Sequence, residues 1–235
     1  MSDDPTQQYL QQALFEMSCA GVAAVAMATP ESEAVELVDA PTCVRRASVQ
    51  RQREFFGGRQ CARKALAKFG VDAGSIGIGA DHLPSWPAGF LGSISHSKGY
   101  CAALVGSRSD FCGLGVDLEK TNRLSDQAIM RVLHPDEEAF AAGDQQLASL
   151  FFSAKEAFYK MQFPRWRTTA NFQDLALGLE RSSSAFELRV GWMSNRFSSV
   201  LRSRARDVCI RGQFFGDFVV SVCWMEGASG LFGGL

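Results

Sequence analysis

Two carboxylates stand two residues apart in residues 115–120, where Asp117 and Glu119 alternate with Val116 and Leu118. This alternation predicts a half-buried strand with both carboxylates on one face, roughly 6–7 Å apart. Like charges at that spacing raise a pKa unless a cation lies between them. Mg2+ is typically held by one or two carboxylates plus substrate phosphates. An isolated pattern of this kind is also typical of a solvated strand end, so the neighbouring segments decide the interpretation.

A third carboxylate, Glu156, lies in residues 145–161, the strongest helical pattern in the chain. The apolar face of this helix consists of Leu147, Leu150, Phe151, Ala154, Phe158 and Met161. Glu156 lies opposite that face, one turn from Lys160, and an exposed pair of this type is worth only a few tenths of a kcal/mol, about 0.2–0.5. Aromatic residues make this second face too apolar for plain solvent exposure. We therefore expect it to line a cleft and to aim Glu156 at the strand carboxylates.

A basic helix is predicted over residues 48–69, with Arg53 near its start and Arg59 and Arg63 one turn apart. The Gly57-Gly58 pair in its middle costs about 1 kcal/mol per glycine relative to alanine, which indicates close packing there. Guanidinium groups grip phosphate dianions well. A solvated basic face is the alternative interpretation.

His96 is one of three histidines and is flanked by Ser95 and Ser97 at the entry to a predicted strand. A lone histidine is more often a satisfied structural residue than a functional one. Its ring N–H can nevertheless donate to a phosphate oxygen.

In order and spacing, residues 53–66, 92–97, 115–120 and 152–160 resemble the 4'-phosphopantetheinyl transferases of the surfactin type. Within them the chain looks most like the branch typified by component D of enterobactin synthetase. The resemblance implies an α+β fold of two similar halves, residues 1–112 and 113–235, related by a pseudo-twofold axis. Each half would pack a small antiparallel sheet against a long helix, and the cleft between the halves would be the active site. The family pattern also implies a monomer.

The implied reaction moves the 4'-phosphopantetheine arm of coenzyme A to a serine of an apo acyl, peptidyl or aryl carrier protein and releases 3',5'-ADP. Mg2+, or alternatively Mn2+, would bind Asp117, Glu119 and Glu156. The implied catalytic residues are Glu156, Asp117 and Lys160. Glu156 would take the serine proton directly or through a metal-bound water. Coenzyme A would be held by Arg53, Arg59, Arg63, Ser95, His96, Lys155 and Lys160. A nucleotide pyrophosphatase and a catalytically silent coenzyme A or carrier-protein binding module are the alternatives.

The composition narrows the class of protein further. The 235 residues suit one large domain or two small halves, and a net charge of -1 argues against a non-specific nucleic-acid binder. The seven scattered cysteines contain no C-x-x-C pair, which favours a reducing cytosol over a disulfide framework or a zinc site. The polar N-terminus is unlike a signal peptide, and the apolar stretch 19–29 is too short for a membrane span. We therefore expect a cytoplasmic protein.

The remaining patterns predict strands over residues 21–27, 175–179, 186–192, 206–210 and 214–225. They also predict a short helix over residues 122–131 and another that begins at Pro135. The acids at the start of that helix, Asp136, Glu137 and Glu138, suit the positive end of the helix dipole. We assign them to capping and not to chemistry.

Overall fold

The structure is a computed structural model that describes residues 4–30, 41–141, 143–181 and 185–227. Its helices are α1 (Pro5–Met17), α2 (Thr42–Arg45), α3 (Val49–Ala67), α4 (Asp126–Val132), α5 (Pro135–Ala141), α6 (Gln145–Trp166) and α7 (Ser199–Ser203). Its strands are β1 (Val22–Ala28), β2 (Phe90–Ser97), β3 (Tyr100–Ser107), β4 (Phe111–Lys120), β5 (Leu175–Arg181), β6 (Phe186–Met193), β7 (Val208–Phe215) and β8 (Phe218–Glu226). Within the described ranges, no helix is both long and apolar enough to cross a bilayer.

The strands form two antiparallel sheets, one in the order β1-β3-β2 and one in the order β4-β8-β7-β6-β5. In each sheet the first strand is followed along the chain by a long helix and pairs with the last strand. Helix α3 packs on β1 and β3, and α6 packs on β4 and β8. This arrangement confirms the α+β class with two sheets and a long helix on each. The pseudo-twofold axis stays a prediction, as does the division after residue 112, which falls inside β4 one residue after its start at Phe111.

Glycines allow both long helices to lie directly on their sheets. A Cβ at Gly115 would stand 1.9 Å from the carbonyl oxygen of Ala157, so β4 and α6 approach backbone to backbone. A Cβ at Gly58 would stand 2.5 Å from Ile94 Cγ2, and one at Gly57 would stand 2.8 Å from Cys101 Sγ. The predicted close packing at the Gly57-Gly58 pair is therefore confirmed.

The two sheets share a hydrophobic core. Leu10 and Leu14 of α1 are fully buried in a cluster that also holds Leu104 of the first sheet and Val116 and Val222 of the second. Burying such side chains stabilises the fold by about 1.5–3 kcal/mol each. Helix α1 therefore ties the second sheet to the first.

Two elements differ from the sequence prediction. The long strand predicted over residues 214–225 is in fact the end of β7 and most of β8, joined by a turn at Gly216-Asp217, where Gly216 has φ 53°. The short helix predicted over residues 122–131 begins only at Asp126, because the Ser125 side chain caps the N–H of Ala128.

Candidate active site

Alternate serines of β2 connect the two sheets. Ser93 Oγ accepts from the backbone N–H of Val116 at 3.0 Å, and Ser95 Oγ accepts from that of Leu118 at 3.1 Å. Ser95 Oγ also donates to Asp117 Oδ1 at 3.2 Å. Because β2 and β4 belong to separate sheets, side-chain hydroxyls supply hydrogen bonds that a backbone ladder would otherwise make. The connection places Asp117 where the two sheets meet.

Lys160 on α6 binds the same carboxylate. Its Nζ lies 2.7 Å from Asp117 Oδ1 and 3.0 Å from Ser95 Oγ. Asp117 is 6% exposed, and its second oxygen, Oδ2, is buried with no hydrogen-bond partner in the described part of the chain. A buried anionic oxygen without a partner is costly, so this atom is available to a cation.

Glu156 lies one turn before Lys160 on the half-buried face of α6. Burial raises the pKa of Glu156, and the negative charges of Asp117 and Glu119 raise it further against the opposing effect of Lys160. Glu119 is engaged elsewhere, since its Oε1 accepts from Arg123 at 2.9 Å and from a serine hydroxyl of β2 at 3.3 Å.

The fit of a divalent cation can be tested on these atoms. Across residues 4–30, 41–141, 143–181 and 185–227, no three Asp, Glu, His or Cys side chains are grouped as a metal site. Asp117 nevertheless keeps one unpartnered oxygen, and the ionised form of Glu156 is disfavoured by the neighbouring carboxylates. An oxygen donor and a repelled carboxylate suit Mg2+. Ligation by Asp117, Glu119 and Glu156 together stays a prediction.

A pocket of about 370 Å3 lies between α3 and β2, beside this cluster. Arg51, Arg59 and His96 line it, with Phe55 and Ile94. The Arg59 guanidinium lies 3.5 Å from the centroid of the Phe55 ring, and its Nε is buried with no partner among the described residues. Burial and the nearby Arg51 lower the pKa of Arg59 to about 10. Two guanidinium groups this close favour an anion between them.

Two residues that contact His96 are absent from the predicted site residues: Arg51, which lines the pocket, and Glu54, which is not among its lining residues. Glu54 Oε2 lies 3.2 Å from His96 Nδ1, and Arg51 Nη1 contacts His96 Nε2 on the other side of the ring. Each step of four residues turns an α-helix by about 40°. Counting back from Arg59 through Phe55 would have placed Arg51 on the same side of the helix.

Neither Arg63 nor Arg53 lines the pocket. Arg63 is exposed and lies with Gln60 and Lys64 on another face of α3, rotated by about 120° from Arg51. Arg53 is half-buried, its Nε has no hydrogen-bond partner within the described ranges, and it is not among the residues that line the pocket. The structure therefore brings together Arg59 and His96 of the predicted nucleotide-binding residues, but not Arg53 or Arg63.

Lys155 does not face the site, contrary to the expectation that it holds coenzyme A. It is 3% exposed, and its Nζ lies 2.7 Å from Glu137 Oε2 and donates to the carbonyl oxygens of Val132 and Phe172. Glu137 is fully buried and also accepts from two backbone N–H groups. One residue turns a helix by about 100°, so Lys155 points into the core beside α5 while Glu156 points to the cleft.

Two family models match the chain. The model of the 4'-phosphopantetheinyl transferase N-terminal domain matches residues 39–106, and that of the 4'-phosphopantetheinyl transferase superfamily matches residues 113–223. The 4'-phosphopantetheinyl transferase PptT of Mycobacterium tuberculosis is 32% identical over 162 residues, which cover 67% of this chain and 69% of that protein.

Two further relatives match over shorter shares of their length. The 4'-phosphopantetheinyl transferase Npt of Nocardia iowensis is 38% identical over 145 residues, 60% of this chain and 62% of that protein. The 4'-phosphopantetheinyl transferase Svp of Streptomyces mobaraensis is 33% identical over 153 residues, 63% of this chain and 62% of that protein. The chain thus spans about 62% of the length of each.

Among solved structures, a holo-ACP synthase from Plasmodium yoelii gives a TM-score of 0.39 at 18% identity, over 50% of this chain and 96% of that chain. A holo-(acyl-carrier-protein) synthase from Bacillus anthracis, in complex with CoA (3',5'-ADP), gives 0.36 at 18% identity, over 51% and 99%. Scores this low do not establish a shared fold, so the assignment rests on the sequence matches. Through the two family models and its identity to PptT, this chain belongs to the 4'-phosphopantetheinyl transferase superfamily.

Proposed function

We propose that this protein transfers the 4'-phosphopantetheine arm of coenzyme A to a serine hydroxyl of an apo acyl, peptidyl or aryl carrier protein. The observation that carries the proposal is the cluster of Asp117, Lys160 and Glu156 beside a pocket lined by Arg51 and Arg59. Three relatives named 4'-phosphopantetheinyl transferases support it. The proposal includes a cytoplasmic monomer.

The pocket between α3 and β2 would bind the nucleotide end of coenzyme A. Arg51 and Arg59 supply cationic donors, and the unpartnered Nε of Arg59 is ready to donate to a phosphate oxygen. His96 lies at the side of the pocket nearest Asp117 and Lys160, whose charges both act on its ring. The pyrophosphate of coenzyme A would extend from this pocket toward Lys160.

Asp117 and Glu156, with Glu119 as the third ligand implied by the resemblance, would hold Mg2+ or Mn2+. When bound there, the ion neutralises the negative charge that develops on the pyrophosphate oxygens. Lys160 supplies a further positive charge next to the same oxygens, since its ammonium is already directed at Asp117. Ser95 holds both of these side chains in position through its hydroxyl.

Glu156 would accept the proton of the carrier serine. Burial and the neighbouring carboxylates raise its pKa toward the working pH, which makes it a better proton acceptor than an exposed glutamate. As that proton leaves, the serine oxygen bonds to the phosphorus that carries the pantetheine arm. The P–O bond to the other phosphate breaks, and 3',5'-ADP departs with the electron pair of that bond.

The products separate this function from the alternatives. Coenzyme A, Mg2+ and the protein are incubated with and without an apo carrier protein, and 3',5'-ADP is quantified. Release that depends on the carrier supports transfer. Equal release without a carrier would show a pyrophosphatase that transfers to water, and binding of coenzyme A without any release would show a silent binding module.

A further inference from the structure

Two side chains of α3 hold the His96 ring from opposite edges. Glu54 Oε2 lies 3.2 Å from Nδ1, and Arg51 Nη1 contacts Nε2. The Glu54 side chain is 16% exposed, and Arg51 and Glu54 also lie 3.6 Å apart. The His96 ring therefore lies between the Glu54 carboxylate and the Arg51 guanidinium, at the wall of the pocket that Arg51 and Arg59 line.

This arrangement determines where the proton on the ring lies. A guanidinium group can only donate hydrogen bonds, so Nε2 facing Arg51 must accept. The ring is then neutral, its proton is on Nδ1, and that N–H donates to the carboxylate of Glu54. Glu54 thus selects one tautomer, as a hydrogen bond at the other nitrogen does in many histidine sites.

The charged groups that act on the ring are Glu54 and Arg51 on α3, Lys160 on α6 and Asp117 on β4. Arg59 on α3 and His82 in the loop before β2 line the same pocket. Burial lowers the pKa of His96, Arg51 and Lys160 lower it further, and Glu54 and Asp117 oppose the decrease. With a pKa below its ordinary value of about 6.5, the free ring is neutral at pH 7.5.

A phosphate that binds in the pocket changes the hydrogen bonds available to the His96 ring. Phosphate oxygens can only accept, so a phosphate at the pocket competes with Nε2 for the Arg51 donors. Nε2 can then contribute a hydrogen bond only after it takes up a proton. The resulting imidazolium would lie between the phosphate and the Glu54 carboxylate, two negative charges that both stabilise it.

We infer that Glu54 is a positioning residue that holds His96 in the Nδ1–H tautomer and allows it to take up a proton from solvent when a phosphate ester binds in the pocket. The inference rests on the proposed function, because it treats the pocket as the nucleotide site. It implies that affinity for the nucleotide falls as pH rises through the pKa that His96 has in the complex.

The test is isothermal titration calorimetry of 3',5'-ADP at pH 7.5 in buffers of different ionisation enthalpy, which gives the number of protons taken up. Wild type and the exposed-carboxylate control Glu138→Gln should both take up a fraction of a proton per ligand. Glu54→Gln keeps an acceptor for Nδ1–H but removes the charge. It should take up fewer protons and bind roughly tenfold more weakly, the effect expected for losing one nearby opposite charge.

A second measurement avoids reliance on the variant. Nitrogen-15 NMR of the imidazole rings is practical because the chain has only three histidines. His96 should be the Nδ1–H tautomer in the free protein and an imidazolium with 3',5'-ADP. Repeating the titration with coenzyme A and dephospho-coenzyme A shows whether the 3'-phosphate or the pyrophosphate drives protonation.

The outcomes distinguish this inference from the proposed function. Binding of 3',5'-ADP without proton uptake, an Nε2–H tautomer in the free protein, or unchanged uptake in Glu54→Gln would overturn the inference and leave the proposed function standing. Failure of both 3',5'-ADP and coenzyme A to bind would overturn the two together.

Discussion

Lys160 Nζ lies 2.7 Å from Asp117 Oδ1 where β2 of one sheet meets β4 of the other. The contact forms because Gly115 lets β4 lie against the backbone of α6 at Ala157. This contact gives Oδ1 of the buried Asp117 carboxylate a partner and leaves Oδ2 with no partner among the described residues. This asymmetry indicates an anionic site that can take a second cation.

Replacing Asp117 with asparagine should abolish transfer and leave the protein folded. Asparagine keeps the shape and an acceptor for Lys160 but loses the charge that a divalent cation requires. We expect a loss of at least about a hundredfold in single-turnover labelling, since several kcal/mol of charge stabilisation disappear. Mn2+ binding, followed by electron paramagnetic resonance, should be lost in parallel. Asp72→Asn, at an exposed loop residue, is the matched control. Full activity in Asp117→Asn, or undiminished wild-type activity in excess EDTA, would refute a metal role.

Replacing Glu156 with glutamine should separate activity from stability. A raised carboxyl pKa means that the folded state disfavours the charged form, so stability decreases as pH rises through that pKa. Glutamine removes this repulsion from Asp117 and Glu119. The melting temperature at neutral pH should therefore stay the same or rise slightly, within about 0.5 kcal/mol of stability. Transfer should fall about a hundredfold or more, which is what a positioned base contributes.

Glu138→Gln on α5 is the control for that substitution, because its side chain is exposed. A melting temperature far below wild type in Glu156→Gln would identify Glu156 as a structural residue. Near-normal turnover would show that Glu156 has no catalytic role and only forms a surface ion pair with Lys160.

The two lysines of α6 should respond in opposite ways to replacement with methionine. Lys155→Met leaves the Glu137 carboxylate buried without its ion-pair partner, and breaking such a pair costs about 3–5 kcal/mol. Lys160→Met should destabilise less, because the Lys160 side chain is 28% exposed, but it should lose most transfer activity. Denaturant unfolding and single-turnover labelling of both variants make the comparison. A stable Lys155→Met variant with selectively weakened coenzyme A binding would show that Lys155 contacts the pyrophosphate of coenzyme A.

The sequence predicts the chemistry of this site better than it predicts which neighbours share it. The periodicity of α6 places Glu156 and Lys160 on the side opposite its apolar face, and the structure brings that side next to Asp117. The contact between Ser95 and Asp117 depends on how two separate sheets meet, which no local pattern encodes. The Gly216-Asp217 turn is different, because a Gly-Asp pair between two apolar runs is a typical two-residue hairpin signal, which the strand predicted over residues 214–225 overlooks.

Arg59 and Arg63 offer a matched pair on one helix. Arg59→Gln should weaken coenzyme A binding roughly tenfold or more, the loss of a charge-assisted hydrogen bond to phosphate. Arg63→Gln should change it little, because Arg63 lies outside the pocket. Calorimetry with coenzyme A and dephospho-coenzyme A measures both variants. A larger loss in Arg63→Gln than in Arg59→Gln would show that the nucleotide lies on the other face of α3.

The most direct measurement is intact-mass spectrometry of several apo carrier proteins incubated with this protein, coenzyme A and Mg2+. We predict that at least one of them gains the mass of a single phosphopantetheine arm on its serine, that a serine-to-alanine carrier gains none, and that Glu156→Gln enzyme slows the gain about a hundredfold or more. Unmodified masses for every carrier, under conditions where coenzyme A binds, would contradict the assignment of this site to phosphopantetheinyl transfer.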